Sequence, residues 1–518
     1  MPFAERNGLK MNICIINPLH GFEYKDDLFN SYYGSGRDHL VCAYIKELLM
    51  NEFNVCMNVE IIDINLSGLI LNNAETLSYY EKIDVFGIMF NEVNIRYAYI
   101  TALKIRHLKK NHKIIAFGST ATLDHEKILN RKIADVCILG EAEMAFVDII
   151  NFYQQKQGDI SKVKGIAYLV GNQIIRNEVR EYIDLDELPI PKRPVVAGVI
   201  PIMTSRGCYG NCSFCVNSSV VQFNIGKKQR FRRYQKVVEE IKYLYNQESF
   251  HTVVITDNVF SMGRDWMKGF LESFEKLDLG IKFQCAIRAN DVIAKEDLLK
   301  RFVDIGLEWI EIGVESLVDR QLSLYQKEIT ADQNLKALEI AQNHKLGVYV
   351  NFLIFEPLLS VNEIEEMIEK IKNHVFFQKP TYILNPLSMS NVFYAYPYTK
   401  LTDYYIDNKI IDKSIGTFNY IIEEMQNYMV IQKRYAIIIK ELFKFRYLYQ
   451  LSTNNDQKQK VIDVFRDLFF LDLEIMEQII VHLSDKNAHE NIMIKMEGHI
   501  EVVKSKILQV QKEIEFMI

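Results

Sequence analysis

Strand-like and helix-like patterns alternate five times between residues 11 and 160, and that leaves few folds open. The runs "NICIINP", "VEIIDIN", "DVFGIMF", "KIIAFGS" and "ADVCILG" are short, apolar and strand-like. Between and after them, "LVCAYIKELLMNEF", "AETLSYYEKI", "RYAYITALKIRHLKKN", "DHEKILN" and "EAEMAFVDIINFYQQK" carry helical spacing. Strands joined through helices pair parallel, by right-handed crossovers. The expectation is an α/β chain opening with a doubly wound, Rossmann-like domain over 11–160.

Residues 161–197 read as a hairpin turning at Gly171-Asn172, then a stiff linker carrying Pro189, Pro191 and Pro194. A second alternation fills 198–400. Its strand candidates are "IPIMTS", "TVVITD", "IKFQCAI", "WIEIGV", "GVYVNFLIF" and "TYILNPL". Six βα units predict a partial (β/α)6 TIM-type barrel. Residues 401–518 read as helical, broken by an exposed loop at "LSTNNDQKQK", and residues 1–10 as a disordered lead.

Apolar content of 49% and charged content of 25% suit packed cores. A net charge of -6 gives no electrostatic case for nucleic acid or an anionic membrane. No apolar run is long enough to span a bilayer, and "MPFAERNGLK" lacks a signal-peptide core, so a reducing, cytoplasmic setting is expected. Eight cysteines in 518 residues are no disulfide framework. Cys14, Cys42, Cys56, Cys137 and Cys285 lie scattered among apolar neighbours and read as core.

The other three are crowded into "TSRGCYGNCSFCVN": Cys208, Cys212 and Cys215. A structural zinc wants four ligands, and no fourth cysteine or histidine is near; the next histidine is His251. A distant residue completing a zinc site stays open. An iron–sulfur cube usually takes four thiolates, and one held by three leaves an iron open for a substrate or cofactor.

C-x-x-x-C-x-x-C after the first strand of such a βα series, with Phe214 before the last cysteine, resembles the radical S-adenosylmethionine (SAM) superfamily. The resemblance implies a [4Fe–4S] cluster on Cys208, Cys212 and Cys215 whose open iron chelates SAM. Reductive cleavage then yields a 5′-deoxyadenosyl radical that takes a hydrogen atom from the substrate. "ITDNVFS" resembles the second-strand motif, implying Asp257 and Asn258 near the SAM amino group. "CAIRAND" resembles the fourth-strand segment, with Arg288 inside the barrel and Asp291 as its structural alternative partner. "IGVESLVDRQLSLYQK" resembles the G-x-E-S…K segment, implying Glu315 and Ser316 beside SAM. "YPYTKL" resembles a P-G-T segment, with Tyr398 in place of glycine. "FLIFEPLLS" departs from the usual glycine-rich form, and Glu356 there is a candidate to face substrate.

The first half carries a second resemblance. "IIAFGSTATLDHEKIL" and "ADVCILGEAEMAFVDII" are similar to the cobalamin-binding domain preceding many such barrels, in the class B methyltransferase-like subclass. The resemblance implies cofactor contacts at Gly118, Ser119, Thr120, Gly140 and Glu141, with Thr122 a further polar candidate. A cobalt-ligating D-x-H-x-x-G is absent; His39 follows Asp38 directly and reads as a helix-start residue, and His20 is a loop histidine. "GKKQRFRRYQK" holds six basic residues; it reads as a solvated face, or through Arg230 and Arg233 as an anion contact.

The combined expectation is a cobalamin-dependent radical SAM enzyme methylating an unactivated centre of a natural-product, peptide or lipid substrate. Its electron donor would resemble flavodoxin or ferredoxin. The alternatives are a cyclase, ring-rearranging enzyme, epimerase or peptide cross-linker without methyl transfer, and a non-catalytic iron–sulfur scaffold or electron carrier.

Overall fold

The computed structural model describes residues 11–18, 28–53, 57–64, 79–108, 112–155, 158–196, 198–353, 356–378, 395–412, 417–418, 455–481, 498, 501–502 and 504–512. The chain divides into two compact units. The first holds residues up to Val196 with Ser205–Tyr209 and Val216–Lys236. The second holds Ala197–Thr204, Gly210–Cys215 and Val237 onward.

The first unit is built on a seven-stranded sheet. Its strands are β1 (Met11–Asn17), β2 (Met57–Asp63), β3 (Val85–Met89), β4 (Lys113–Phe117), β5 (Val136–Ile138), β6 (Ile166–Val170) and β7 (Gln173–Arg176). The order is β2-β1-β3-β4-β5-β6-β7, parallel through β5. That is the doubly wound order, with its reversal between β1 and β3. Its helices are α1 (Leu28–Phe53), α2 (Ile95–Leu108), α3 (Ser119–Leu123), α4 (His125–Asn130) and α5 (Glu143–Gln154). Strand parity sorts the core into two layers. Ile13 and Ile15 join Cys42 and Ile45 of α1 and Phe146 and Ile149 of α5. Cys14 and Ile16 join Ala98 and Ala102 of α2 and Ile128 of α4.

Two details differ from the sequence reading. α1 begins at Leu28, upstream of Gly34-Ser35-Gly36, whose poor helix propensity hid its start. His39 is therefore inside the helix, not at its start. The hairpin turns at Gly171-Asn172 as expected, but β6 pairs antiparallel with β5 and so extends the first sheet.

The second unit has a five-stranded parallel sheet: β8 (Val199–Ile202), β9 (Thr252–Ile255), β10 (Lys282–Ile287), β11 (Leu307–Glu315) and β12 (Gly347–Phe352). They pair in chain order. Between and after them run α7 (Tyr234–Gln247), α8 (Arg264–Glu275), α9 (Ala289–Ala294), α10 (Glu296–Asp304), α11 (Asp319–Leu324), α12 (Ala331–Asn343) and α13 (Val361–Asn373); α6 (Val216–Val220) follows the cysteine loop in the first unit. The sixth strand candidate, 381–387, lies outside the described residues, as do Cys56, His20, Phe355 and the helical expectation over 424–450.

Beyond α13 come α14 (Val375–Gln378), α15 (Lys400–Asp407) and α16 (Asn455–Val481). The last corrects the loop expected over 451–460 at 455–460, the part within the described residues. Asp456 to Lys460 are helical there, Gln457 is buried, and Lys458 bonds Glu308 at 2.7 Å. Tertiary contacts override the polar composition that read as loop. α16 is tied to α13 by Lys372–Glu477 at 2.6 Å and to α14 by Phe469 stacking on Phe377.

Candidate functional site

In the second unit the candidate residues gather where parallel strands end. The carboxyl ends of such strands collect sites because loops there are free to vary while the sheet holds them. Thr204 and Asp257 follow β8 and β9. The Asp257 carboxylate accepts from the Thr204 backbone N–H at 2.8 Å and from its hydroxyl, and both residues are buried. Asp257 thus anchors the strand leading into the cysteine loop. Asn258, beside it, is half-buried.

The loop is held on its second-unit side by Ser213. Its N–H donates to Tyr325 O at 2.9 Å, its hydroxyl to Leu324 O at 2.8 Å, and its carbonyl accepts from Leu401 N at 2.9 Å. Phe214 packs edge-on against Tyr325 with ring centres 5.3 Å apart. Cys208 groups with the first unit, Cys212 and Cys215 with the second. Gly207, just before Cys208, has φ +82°, and a β-carbon there would run into the carbonyl of Lys228.

The cysteines separate into two chemical kinds. Cys14, Cys42, Cys137 and Cys285 are fully buried, and burial pushes their thiols well up, which keeps them protonated and inert. Cys208 and Cys215 are partly exposed, Cys212 is buried, and none of the three is a half-cystine. Among the described residues no three His, Cys, Asp or Glu side chains are gathered as for a metal ion. The donor set nonetheless fits an iron–sulfur cluster: three reduced thiols within eight positions, one touched by a cation.

That cation is Arg288, just after β10, which is the third strand of its sheet and not the fourth expected for "CAIRAND". Its Nη1 donates to Cys212 Sγ at 3.6 Å and its Nη2 to Lys327 O at 2.6 Å. Asp291, its structural alternative partner, accepts from Ser261 at 2.6 Å and Lys295 at 2.9 Å. Lys327 in turn donates from Nζ to Glu315 Oε1 at 3.0 Å, and both side chains are buried. The β11–β12 register shifts between Gly313 and Glu315, and Glu315 sits at φ +64°. Such a bulge re-aims a side chain. Ser316 is fully buried; its hydroxyl accepts from Val318 N at 2.9 Å and its carbonyl from Asn334 Nδ2 at 3.1 Å.

Glu356 does not face an open pocket. It is 0% exposed, and its Oε1 accepts from Tyr405 OH at 2.7 Å and Leu358 N at 2.9 Å. Burial holds its carboxyl above the usual range. Tyr405 lies on α15, whose Leu401 N–H is bonded to Ser213, so this buried carboxyl braces the helix that holds the cysteine loop.

In the first unit Gly118, Ser119 and Thr120 follow β4. Ser119 donates from N and Oγ to Asn91 Oδ1, each at 3.0 Å, and from Oγ to Glu92 at 2.5 Å. Thr120 is buried, its N–H bonded to Phe90 O. Thr122 receives the Gly140 N–H at 3.0 Å. At the β1 and β2 ends, Asp63 accepts from Asn17 at 3.0 Å and lies 3.2 Å from His39 Nδ1. A polar rim thus crosses the switch point. Asn17, Asp63 and Asn91 were not singled out from sequence, although each sits at or just beyond a strand end, the signal that could have found them.

Glu141 is engaged by arginines. Arg230 and Arg206 pair with it, Arg206 also pairs with Glu143, and Arg230 lies 4.1 Å over the Tyr182 ring. Arg233 pairs with Asp186 at 2.8 Å. Arg230 and Arg233 of the basic run are thus bound to acidic partners of their own unit. Gly140 has φ +91° and leaves room for Asn224, whose Oδ1 takes the Glu141 N–H at 3.0 Å.

Residues 202–371 match the Radical SAM superfamily family model. The chain is similar to an uncharacterised methyltransferase of Pyrococcus horikoshii, 24% identical over 71% of this chain and 78% of that one. It is 26% identical to an anaerobic magnesium-protoporphyrin IX monomethyl ester cyclase of Rubrivivax gelatinosus over 42% of this chain, spanning only 41% of that relative. In fold it is similar to the cobalamin-dependent S-adenosylmethionine radical enzyme OxsB, solved with aqua-cobalamin and SAM bound. There the TM-score is 0.70 at 16% identity, covering 98% of this chain and 79% of the other.

Proposed function

From a chain whose residues 202–371 are a radical SAM domain, we propose a cobalamin-dependent radical SAM enzyme that methylates an unactivated centre of a small-molecule or peptide substrate. The observation that carries it is the loop of three reduced cysteines with Arg288 donating to Cys212. The OxsB-like fold over 98% of the chain supports a cobalamin-binding first unit. In this reading the second unit closes as a partial (β/α)6 barrel.

Cys208, Cys212 and Cys215 would hold a [4Fe–4S] cluster. Bound cluster, SAM and cobalamin would together supply the electron, the radical and the methyl group. The protein's own work is placement. Asp257 fixes the entry of the cysteine loop and Ser213 fixes its middle; Glu315, which ends β11, and Ser316 beside it would orient SAM. In the first unit the rim of Asn17, Asp63, Asn91, Gly118, Ser119 and Thr120 would receive the cobalamin.

The test is anaerobic reconstitution with iron, sulfide and hydroxocobalamin, then reaction with SAM and dithionite. About one retained cobalamin per chain and a substrate gaining CH₂ support the reading. No 5′-deoxyadenosine with any candidate substrate sinks the radical chemistry. The cyclase relative favours a second reading, radical cyclisation without methyl transfer. A product lighter by two hydrogens from cobalamin-free protein would select it.

A further inference from the structure

We propose that Arg288 is a positioning residue that sets the reduction potential of the cluster through Cys212, and that Lys327 and Glu315 aim it. The inference rests on the cluster reading above and concerns how this chain tunes it.

The guanidinium is a rigid fork that stays charged throughout the physiological range. Arg288 is 8% exposed, so its charge is poorly screened, and each prong has its own acceptor: Cys212 Sγ at 3.6 Å and Lys327 O at 2.6 Å. With Asn290 Oδ1 taking Nε at 3.4 Å, three acceptors on one planar group fix both its position and its tilt. A donor on a ligating sulfur stabilises the more negative, reduced cluster, as hydrogen bonds to cluster sulfurs do.

The second acceptor is itself held with unusual firmness. Lys327 lies between Gln326 at φ +52° and Glu328 at φ +56°, two non-glycine residues in the left-handed region. Such conformations persist only where the surroundings over-determine them. Lys327 N donates to Leu322 O at 3.1 Å, and its ammonium is drawn to Glu315. Glu315 is left-handed too, at the bulge that ends β11. Backbone strain at three positions thus serves to place one carbonyl and one ammonium behind Arg288.

The experiment compares full-length wild type, Arg288→Gln and Arg288→Lys, each reconstituted anaerobically. Iron content, far-ultraviolet circular dichroism and the cluster midpoint potential by electron paramagnetic resonance are read for each. Arg288→Gln is expected to keep its iron but disfavour reduction about tenfold, a shift of about 59 mV to the negative for one electron. Arg288→Lys, which keeps the charge and loses the fork, should fall between. Wild-type iron and potential in both variants overturns the proposal. A folded Arg288→Gln protein that takes up no iron also overturns it, since the arginine is then needed to hold the cluster rather than to set its potential. If Arg288→Gln does not fold, the Arg288→Lys potential decides alone. Wild-type protein that takes up no iron overturns the cluster reading itself, whatever Arg288 does.

Discussion

Lys327 places its ammonium 3.0 Å from Glu315 Oε1, in space that glycine at 313 leaves open. A β-carbon on Gly313 would lie 2.9 Å from Lys327 Nζ and run into the Glu315 carboxylate. The G-x-E-S…K spacing is therefore one packed object: the glycine makes room, the bulge turns the glutamate, and the lysine returns from beyond α11 to neutralise it.

Breaking that pair leaves a buried charge without compensation, at a cost of about 3–5 kcal/mol. Lys327→Met should lose that much in urea denaturation. The double variant Glu315→Gln/Lys327→Met should recover much of it. Equal losses in the single and double variants would mean that the pair contributes nothing as a pair.

The two kinds of cysteine predict two kinds of variant. Cys208→Ala, Cys212→Ala and Cys215→Ala should each lose most of the iron taken up on reconstitution, with the broad iron–sulfur absorption. Cys285→Ala should keep both, because burial makes that thiol a protonated packing group. Iron retained by Cys212→Ala would contradict the assignment.

Tyr398 stands where the resembling P-G-T segment has glycine, and its φ of +67° is the conformation glycine adopts without strain. A β-carbon there costs about 1–2 kcal/mol. Comparing Tyr398→Gly with Tyr398→Ala removes the ring in both and the β-carbon in only one. The glycine variant should be the more stable by roughly 1 kcal/mol in thermal melts. Equal melting would show that the turn relaxes.

Two glutamates near α13 should give opposite pH dependences. Glu363 is held at about 2, chiefly by its hydrogen bonds with Arg320, so its stabilisation is present above the ordinary glutamate range and lost as pH falls from there towards 2. Glu356 is raised by burial, so its stabilisation is full below the ordinary range and lost as pH rises through its higher value. Denaturation of wild type, Glu363→Gln and Glu356→Gln across pH 3–8 checks both signs. Glu363→Gln should flatten the acid limb and Glu356→Gln the fall on the other side. A Glu356→Gln protein with the wild-type slope would refute the second assignment.

Periodicity alone determined the alternation of strands and helices in both units, because parallel strands buried on two faces read as continuous apolar runs. It determined the turn at Gly171-Asn172 and, through local spacing, the cysteine loop with Phe214 beside it. These are short-range facts, carried by neighbours in the chain. Partner choice is not. That Arg288 meets Cys212, and that Arg230 meets Glu141, depends on which strand ends are brought side by side. Glu356 looked like a substrate-facing carboxylate until burial beside Tyr405 removed it from solvent. The start of α1 and the helix over 455–460 ran against local propensity, and packing overrode it. Only the tertiary structure could decide these, because the energy of a buried charge is set by what surrounds it in space.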